Sequence, residues 1–147
     1  MASRAGRLRS SAGGRLLALA LVLQGCGTAD GTLGVGACFD DPDDSTAVSE
    51  IKPVDCTVPH HREVVFVGDF VPATDTYPSD EAFFDFETDR CLSAFQEYTG
   101  IDFTIDEDYG MASYKPTDAE WAEGDRRIIC YAYRFDYAPM TQSIKKS

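Results

Sequence analysis

The adjacent histidines His60 and His61 are the only histidines of the chain and its clearest candidates for acid–base chemistry. A histidine can act as a general base near neutral pH, and Glu63 or Asp55 lies close enough in sequence to orient His60. A base needs a nucleophile to activate, and the sequence contains no Gly-x-Ser-x-Gly motif. We therefore favour a structural role, in which His60 bonds to the carbonyl of a turn, and we expect no catalytic residue.

Metal binding has weak support in the sequence. Adjacent side chains on a strand point to opposite faces, so one zinc ion can hardly use both His60 and His61. No His-x-x-x-His or Cys-x-x-Cys pair is present. The acidic segments 40–44 (DDPDD) and 106–110 (DEDYG) lack the alternating Asp-x-Asp-x-Asp-Gly pattern of a calcium loop, and we interpret them as solvated turns. We expect no metal and no cofactor.

Trp121, Asp125 and Arg126 form the most distinctive cluster of side chains. One interpretation is a binding site, in which the indole is a platform and the guanidinium grips a carboxylate or a sugar. The alternative is architectural: Trp121 packs a short helix onto a sheet, Gly124 ends that helix, and Asp125 pairs with Arg126 or caps a backbone group. We favour the architectural role, and we retain His60, Trp121, Asp125 and Arg126 as the candidate binding residues.

Cys26 is one of five cysteines and stands apart from the others. It follows an Arg-rich start, the apolar run LLALALVL and small residues, which is the order of a bacterial secretory signal. The apolar run is too short to span a bilayer. Leu23 and Gly25 before Cys26 resemble a lipobox, in which the cysteine is acylated. We expect residues 1–25 to be a signal peptide and Cys26 to anchor the chain to the extracytoplasmic face of the cell membrane; the alternative is a secreted protein.

The other four cysteines should form two disulfides, because exported proteins usually pair their cysteines. Three pairings are possible. Cys38 and Cys56 lie on predicted neighbouring strands, whereas Cys91 and Cys130 lie on the inward faces of a predicted helix and of the last strand. We therefore favour the pairs Cys38–Cys56 and Cys91–Cys130.

The strands that position these residues are predicted from alternation and turn signals. They are expected over residues 34–40, 51–58, 61–70, 101–105, 111–115 and 126–135, with 101–105 and 111–115 as a hairpin. Segment 61–70 is apolar on both faces, which is typical of a central strand. Its alternation places Val64, Phe66 and Gly68 on one face, and Val65 and Val67 on the other. In the last strand, Ile128, Cys130 and Ala132 should share a face.

Two helices are predicted. The main helix covers about 79–99, from an N-cap at Ser79 to a stop at Gly100. Its buried face is expected to hold Phe84, Cys91, Leu92, Phe95 and Tyr98. A capping box of Thr117 and Glu120 predicts a short helix over about 117–123. The result is an α+β fold, a small antiparallel sheet with one main helix.

The chain is expected to hold one folded domain over residues 34–138, after a flexible spacer at 26–33 and before a loose polar tail at 139–147. From Cys26 onward, nine basic residues face 25 acidic ones, a formal charge of −16. Such a charge repels nucleic acid and anionic lipid headgroups, so we expect no nucleic-acid partner.

Four segments resemble the septum formation family, an envelope domain of high-GC Gram-positive bacteria. The matching residues are Gly36, Ala37, Cys38 and Phe39; Val54, Cys56, Pro59, His60, Glu63 and Val64; Cys91; and Pro116, Thr117, Trp121, Gly124, Asp125, Arg126 and Cys130. The resemblance covers residues 34–137. It implies an extracytoplasmic, membrane-associated domain with paired cysteines and a link to cell division, but no particular biochemical activity.

These observations predict a non-enzymatic, lipid-anchored envelope protein, linked to septum formation through binding an envelope protein or a cell-wall component. The alternative is an extracytoplasmic hydrolase of cell-wall polymer, with His60 and a carboxylate as its acid and base.

Overall fold

The fold is seen in a computed structural model that describes residues 33–40 and 48–147. Four strands form one antiparallel sheet in the order β1–β2–β4–β3. The strands are β1 (Cys38–Phe39), β2 (Arg62–Asp69), β3 (Tyr109–Tyr114) and β4 (Arg127–Arg134). Together with the helices that pack on it, the sheet confirms the predicted α+β class.

Strand β2 is central, as predicted, but a bulge changes which of its side chains share a face. Val64 pairs with Tyr131 and Phe66 pairs with Cys130, which leaves Val65 as the extra residue. Val65 and Phe66 consequently pack on the same core cluster, while Val64 packs on the other. The strict alternation expected along β2 was wrong, because an inserted residue reverses the faces that follow it.

The main helix is continuous from α1 (Asp80–Phe86) through a π-helical segment (Glu87–Cys91) to α2 (Leu92–Thr99). Its two ends are as predicted. Ser79 Oγ accepts a hydrogen bond from the Ala82 amide at 3.2 Å, and Gly100 ends the helix with φ of 74°.

The π-helical segment changes which side chains of α1 face the core. A π-helical turn contains one residue more than an α-helical turn. The residue of α1 that lies on the same face as Cys91 is therefore Phe83, eight residues earlier, and not Phe84, seven residues earlier. Phe83 and Phe86 are buried, whereas Phe84 is 66% exposed. Placing Phe84 on the buried face was therefore wrong.

The predicted short helix is α3 (Asp118–Ala122). Thr117 Oγ1 accepts a hydrogen bond from the Glu120 amide at 3.3 Å, and Glu120 Oε2 accepts one from the Thr117 amide at 2.8 Å. This reciprocal pair is the predicted capping box.

Two predicted strands are turns instead. In segment 51–58, Asp55 Oδ1 accepts hydrogen bonds from the amide and the hydroxyl of Thr57, both at 2.8 Å, and only Val54 forms a bridge, to Cys38. In segment 101–105, Asp102 Oδ1 holds the amide and hydroxyl of Thr104 in the same way. Aspartate side chains thus supply bonds that compete with strand pairing. Strand β3 pairs with β4 rather than with segment 101–105.

Both predicted disulfides are present, Cys38–Cys56 and Cys91–Cys130. The second joins the main helix to β4 inside the larger core cluster, which lies between the helices and the sheet. That cluster contains Val65, Phe70, Phe83, Phe86, Cys91, Phe95, Trp121, Ile128, Cys130 and Ala132. The smaller cluster covers the opposite sheet face and contains Leu33, Phe39, Ile51, Val64, Ile129 and Tyr131.

Residues 139–147, which we call the C-terminal strap, pack against the domain, so expecting a loose tail was wrong. Met140 is 5% exposed and exchanges two backbone hydrogen bonds with His60, at 3.0 and 2.7 Å. Ile144 packs on the larger core cluster, and the Lys146 amide donates to the Tyr98 carbonyl at 3.0 Å.

Among the helices within 33–40 and 48–147, none has the length and apolarity to cross a bilayer. The predicted signal peptide, Cys26 and the acidic residues 41–44 lie outside the described residues.

Candidate functional site

His60 is fully buried next to the strap. Its Nδ1 lies 2.9 Å from the Val58 carbonyl oxygen, and because a carbonyl only accepts, Nδ1 carries the proton. A catalytic base must touch the proton that it removes. His60 is fully buried and its backbone pairs with Met140, so its ring does not meet a polymeric substrate in this structure. Its geometry is that of the structural role favoured from the sequence.

Glu63, in β2 three residues after His60, is also fully buried. Its Oε1 accepts hydrogen bonds from the Tyr98 hydroxyl at 2.5 Å and the Ser143 hydroxyl at 2.6 Å, and its Oε2 accepts one from the Ile144 amide at 2.9 Å. Burial, together with the bond to Glu63, raises the pKa of Tyr98 to about 12. The carboxylate therefore ties β2, the main helix and the strap together.

Trp121 lies in the core, where it is 1% exposed. Its indole nitrogen donates to the Thr74 carbonyl at 3.2 Å, and the Arg126 guanidinium lies 3.9 Å from the ring centroid. Phe70 and Tyr77 contact the ring edge-on. With its surface covered in this way, Trp121 offers no platform to a ligand, and its geometry is the architectural one.

Asp125 and Arg126 are engaged with the backbone around α3. Asp125 Oδ1 accepts from the Arg127 amide at 2.9 Å, and Arg126 Nη1 donates to the Trp121 carbonyl at 2.6 Å. Gly124, with φ of 99°, supplies the turn between the end of α3 and Asp125. The structure thus groups three of the candidate binding residues, whereas His60 lies with Cys38 and Glu63.

The acidic segment 106–110, whose last two residues begin β3, also forms hydrogen bonds with the backbone. Asp106 Oδ1 accepts from the amides of Asp108 and Tyr109, at 3.0 and 2.8 Å. These bonds account for Asp106 without a cation.

A surface cavity that the sequence analysis missed lies on the sheet face of the smaller core cluster. Its volume is about 190 Å³, and we call it the tyrosine cleft. The start of β2, β3, the end of β4 and the following turn line it with His61, Arg62, Ala112, Tyr131, Tyr133, Arg134, Tyr137 and Ala138.

Two stacked rings form one side of the tyrosine cleft. The ring centroids of Tyr133 and Tyr137 are 6.3 Å apart, with 21° between the ring planes. Tyr133 lies against Gly110, where an added Cβ would come within 2.5 Å of its ring. Tyr137 is 73% exposed and has a φ of 56°, a left-handed conformation that is uncommon for a bulky residue. An aromatic face is therefore held out towards solvent.

The polar groups of the cleft are held in place by neighbours. Arg62 donates to the hydroxyls of Tyr131 and Tyr114, at 2.6 and 3.2 Å. Arg134 forms two hydrogen bonds with Asp136, at 2.8 and 2.7 Å, which raise the pKa of Arg134 and lower the pKa of Asp136 to about 2.

His61, at the rim of the tyrosine cleft, contacts the carboxylate of Asp40. Carboxylates therefore offset part of the cationic charge at the rim. The cleft combines an aromatic face with fixed donors, a combination that suits a ligand with both apolar and hydroxyl groups.

The signal for this cleft is present in the sequence. The run 131–137 (YAYRFDY) places aromatic residues at alternate positions, Tyr131, Tyr133, Phe135 and Tyr137, and alternate residues of an extended segment share one face. Because aromatic residues in a strand are commonly core residues, only the structure shows that Tyr131 is buried whereas Phe135 and Tyr137 are exposed.

Comparison with known proteins agrees with the resemblance drawn from the motifs. The model of the family described as septum formation matches residues 11–133. The match begins within the predicted signal peptide and ends in β4, before the C-terminal strap. No curated protein and no solved structure shows significant similarity to the chain. Since the match spans most of its length, the chain belongs to the septum formation family, which supports a role in the cell envelope related to cell division.

Proposed function

We propose that this protein is a non-enzymatic, lipid-anchored envelope protein that binds an envelope partner through the tyrosine cleft. The observation that carries the proposal is Tyr137, an aromatic side chain that is 73% exposed and held with a φ of 56°. Such a conformation costs roughly 1–3 kcal/mol, and residues of this kind cluster at functional sites. The cost is understandable if the ring contacts a ligand.

The surroundings of Tyr137 support a binding role. Phe135, two residues earlier, is 51% exposed, and its ring contacts Tyr133. Aromatic side chains and arginines are enriched at the centres of interfaces, where a ring supplies contact area with few rotatable bonds. The cleft holds both residue types at the edge of the sheet and in the turn that follows β4.

Attachment to the membrane is proposed through a lipid on Cys26. The residues between Cys26 and Leu33, the latter already in the smaller core cluster, would then separate the folded domain from the bilayer. This separation suits the acidic body of the chain, because its charge of −16 repels anionic headgroups.

A hydrolase with His60 as its base receives less support. His60 is 0% exposed, and its Nδ1 is engaged by Val58. Catalysis by this residue would require the fold to open around the ring, which is closed off from solvent.

The experiment is sedimentation of the protein with isolated envelope, using wild type and Tyr137→Ala. We expect the substitution to reduce binding strongly, because it removes the exposed ring of the cleft. Phe84→Ala is the matched control, since Phe84 is an exposed aromatic at 66% on another element. Equal binding by Tyr137→Ala and wild type would refute a role for the cleft.

A second comparison identifies the type of partner. Purified wall polymer stripped of protein should retain the chain if the partner is a wall component. An envelope protein fraction free of polymer should retain it if the partner is a protein. Loss of binding by Tyr137→Ala is expected in whichever of these fractions binds the wild type.

A further inference from the structure

Away from the tyrosine cleft, three buried side chains of the types that bind metals lie close together. Cys38 Sγ, a ring nitrogen of His60 and a carboxylate oxygen of Glu63 lie within 4.8 Å of one another. All three residues are 0% exposed. Thiolate, imidazole and carboxylate are the three ligand types that zinc uses in proteins.

The free nitrogen of His60 is prepared for a ligand. Nδ1 donates to the Val58 carbonyl, so Nε2 bears the lone pair. Nε2 is buried and has no hydrogen-bond partner in the described part of the chain. Metal-binding histidines commonly donate their other ring N–H to a backbone carbonyl, which fixes the tautomer and the ring orientation.

The Glu63 carboxylate supplies a second metal ligand whose orientation is fixed by hydrogen bonds. Its three hydrogen-bond donors, from Tyr98, Ser143 and Ile144, are all neutral groups. Within residues 33–40 and 48–147, Glu63 forms no ion pair with a lysine or arginine. An ionised carboxylate has about four acceptor positions, so three bonds leave capacity for a cation. A cation at this position would offset the cost of burying the charge.

We propose that reduction of the Cys38–Cys56 disulfide turns this cluster into a zinc site, with Cys38, His60 and Glu63 as ligands. The ligand set differs from the His60–His61 pair considered from the sequence, because His61 contacts Asp40 at the rim of the cleft. In the oxidised chain, Cys38 Sγ is bonded to Cys56 and cannot be a thiolate.

The reductant is a dithiol, and its thiolate attacks Cys56, the partly exposed half of the bridge. A bond forms between the reductant and Cys56 Sγ, the Cys38–Cys56 bond breaks, and its electron pair stays on Cys38 Sγ. The second thiol of the reductant then releases Cys56 and leaves as a disulfide. One proton goes to Cys56 and the other to solvent. The Cys38 thiolate and the Glu63 carboxylate together balance the two charges of Zn²⁺.

Two serine variants test the site without a reductant. Cys56→Ser leaves Cys38 as a free thiol, whereas Cys38→Ser removes the proposed ligand; both lack the same disulfide. Each is made in the full-length chain carrying Cys26→Ala, so that no second free thiol interferes. The probe is Co²⁺, whose charge-transfer absorption reports a bound thiolate. We expect this absorption in Cys56→Ser, its displacement by Zn²⁺, and its loss in Cys38→Ser.

Histidine variants in the Cys56→Ser chain test whether His60 is a metal ligand, with the adjacent His61 as the control. His60→Ala should lose the cobalt absorption, and His61→Ala should keep it. Equal absorption in the two serine variants, or its survival in His60→Ala, would overturn the proposal. So would a folded Cys56→Ser chain that binds no cobalt.

If Cys56→Ser does not fold, the wild-type chain supplies the readout. Zinc should raise the melting temperature of the chain held reduced by a phosphine, and it should leave that of the oxidised chain unchanged. The absence of a zinc-dependent shift in the reduced chain would also overturn the site.

Discussion

The hydroxyl of Ser143 donates a 2.6 Å hydrogen bond to the buried carboxylate of Glu63. This contact joins the C-terminal strap to β2, and the Ile144 amide adds a second bond to the same carboxylate at 2.9 Å. A buried carboxylate that loses a donor bears an uncompensated desolvation cost. The last residues of the chain are therefore part of the folded domain, although the family match ends before them.

Ser143→Ala should destabilise the protein by about 1.5–3 kcal/mol, the usual contribution of a hydrogen bond to a charged group. Urea unfolding measures the change. Ser93→Ala is the control, because Ser93 donates only to the Asp89 carbonyl on an exposed helix surface. We expect the control to change stability by no more than about 0.5 kcal/mol. Similar losses in the two variants would show that Ser143 does not hold the strap to Glu63 in the way proposed.

Tyr98 predicts a loss of stability at alkaline pH. Burial raises its pKa from an ordinary value of 10.0 to about 12, and the bond to Glu63 adds to the increase. The folded chain thus holds the phenol proton more tightly than the unfolded chain does. Its contribution is fully present below pH 10 and is lost as the pH rises towards 12.

A Tyr98→Phe chain should consequently lose less stability than wild type between pH 10 and 12, as measured by urea unfolding across that range. Ser93→Ala, which removes no phenol, should retain the wild-type slope. If Tyr98→Phe follows the wild-type pH dependence, the Tyr98 phenol does not have a raised pKa in the folded chain.

Trp121→Ala should destabilise the protein by about 3–5 kcal/mol, since it empties a buried site and removes the ring under Arg126. Thermal and urea unfolding report this loss. Phe84→Ala, at an exposed ring, should change stability by no more than about 0.5 kcal/mol. A Trp121→Ala protein with an unchanged melting temperature and a lost partner would show that Trp121 is a binding residue after all.

Cys26→Ala should abolish lipid labelling and leave an uncleaved precursor, because the substitution removes the acylated sulfur of the proposed lipoprotein. Incorporation of labelled fatty acid and retention in the membrane fraction measure the effect. Thr28→Ala, two residues later, should be processed as wild type. Normal processing of Cys26→Ala would contradict the lipid anchor.

Local signals in the sequence were sufficient for several elements. Ser79, Gly100 and the Thr117–Glu120 box determine where helices begin or end, because each satisfies backbone groups within a few residues. The Cys91–Cys130 pair followed from the positions of its helix and strand, whereas the segment that holds Cys56 is a turn in which Val54 bridges to Cys38. The family resemblance likewise rested on short motifs, and the match over residues 11–133 confirmed it.

Local signals were less reliable where the chain departs from a regular repeat. The bulge at Val65 and the π-helical segment Glu87–Cys91 each insert a residue, and every side chain beyond them changes face. Hydrophobic periodicity assumes a constant repeat, so it placed Phe84 in the core where Phe83 and Phe86 lie. The packing of the main helix against β2 and β4 determines which of these phenylalanines are buried.

The candidate sites depended still more on tertiary structure. The sequence by itself determined the fold class and the ends of the helices and favoured the observed cysteine pairs, because these depend on neighbours within a few residues or on the order of elements. Only the tertiary structure brought Ser143 to Glu63 and Tyr137 to the surface, since such contacts join residues far apart in sequence or depend on burial. A polar tail and a tyrosine-rich strand have no fixed environment until the chain packs.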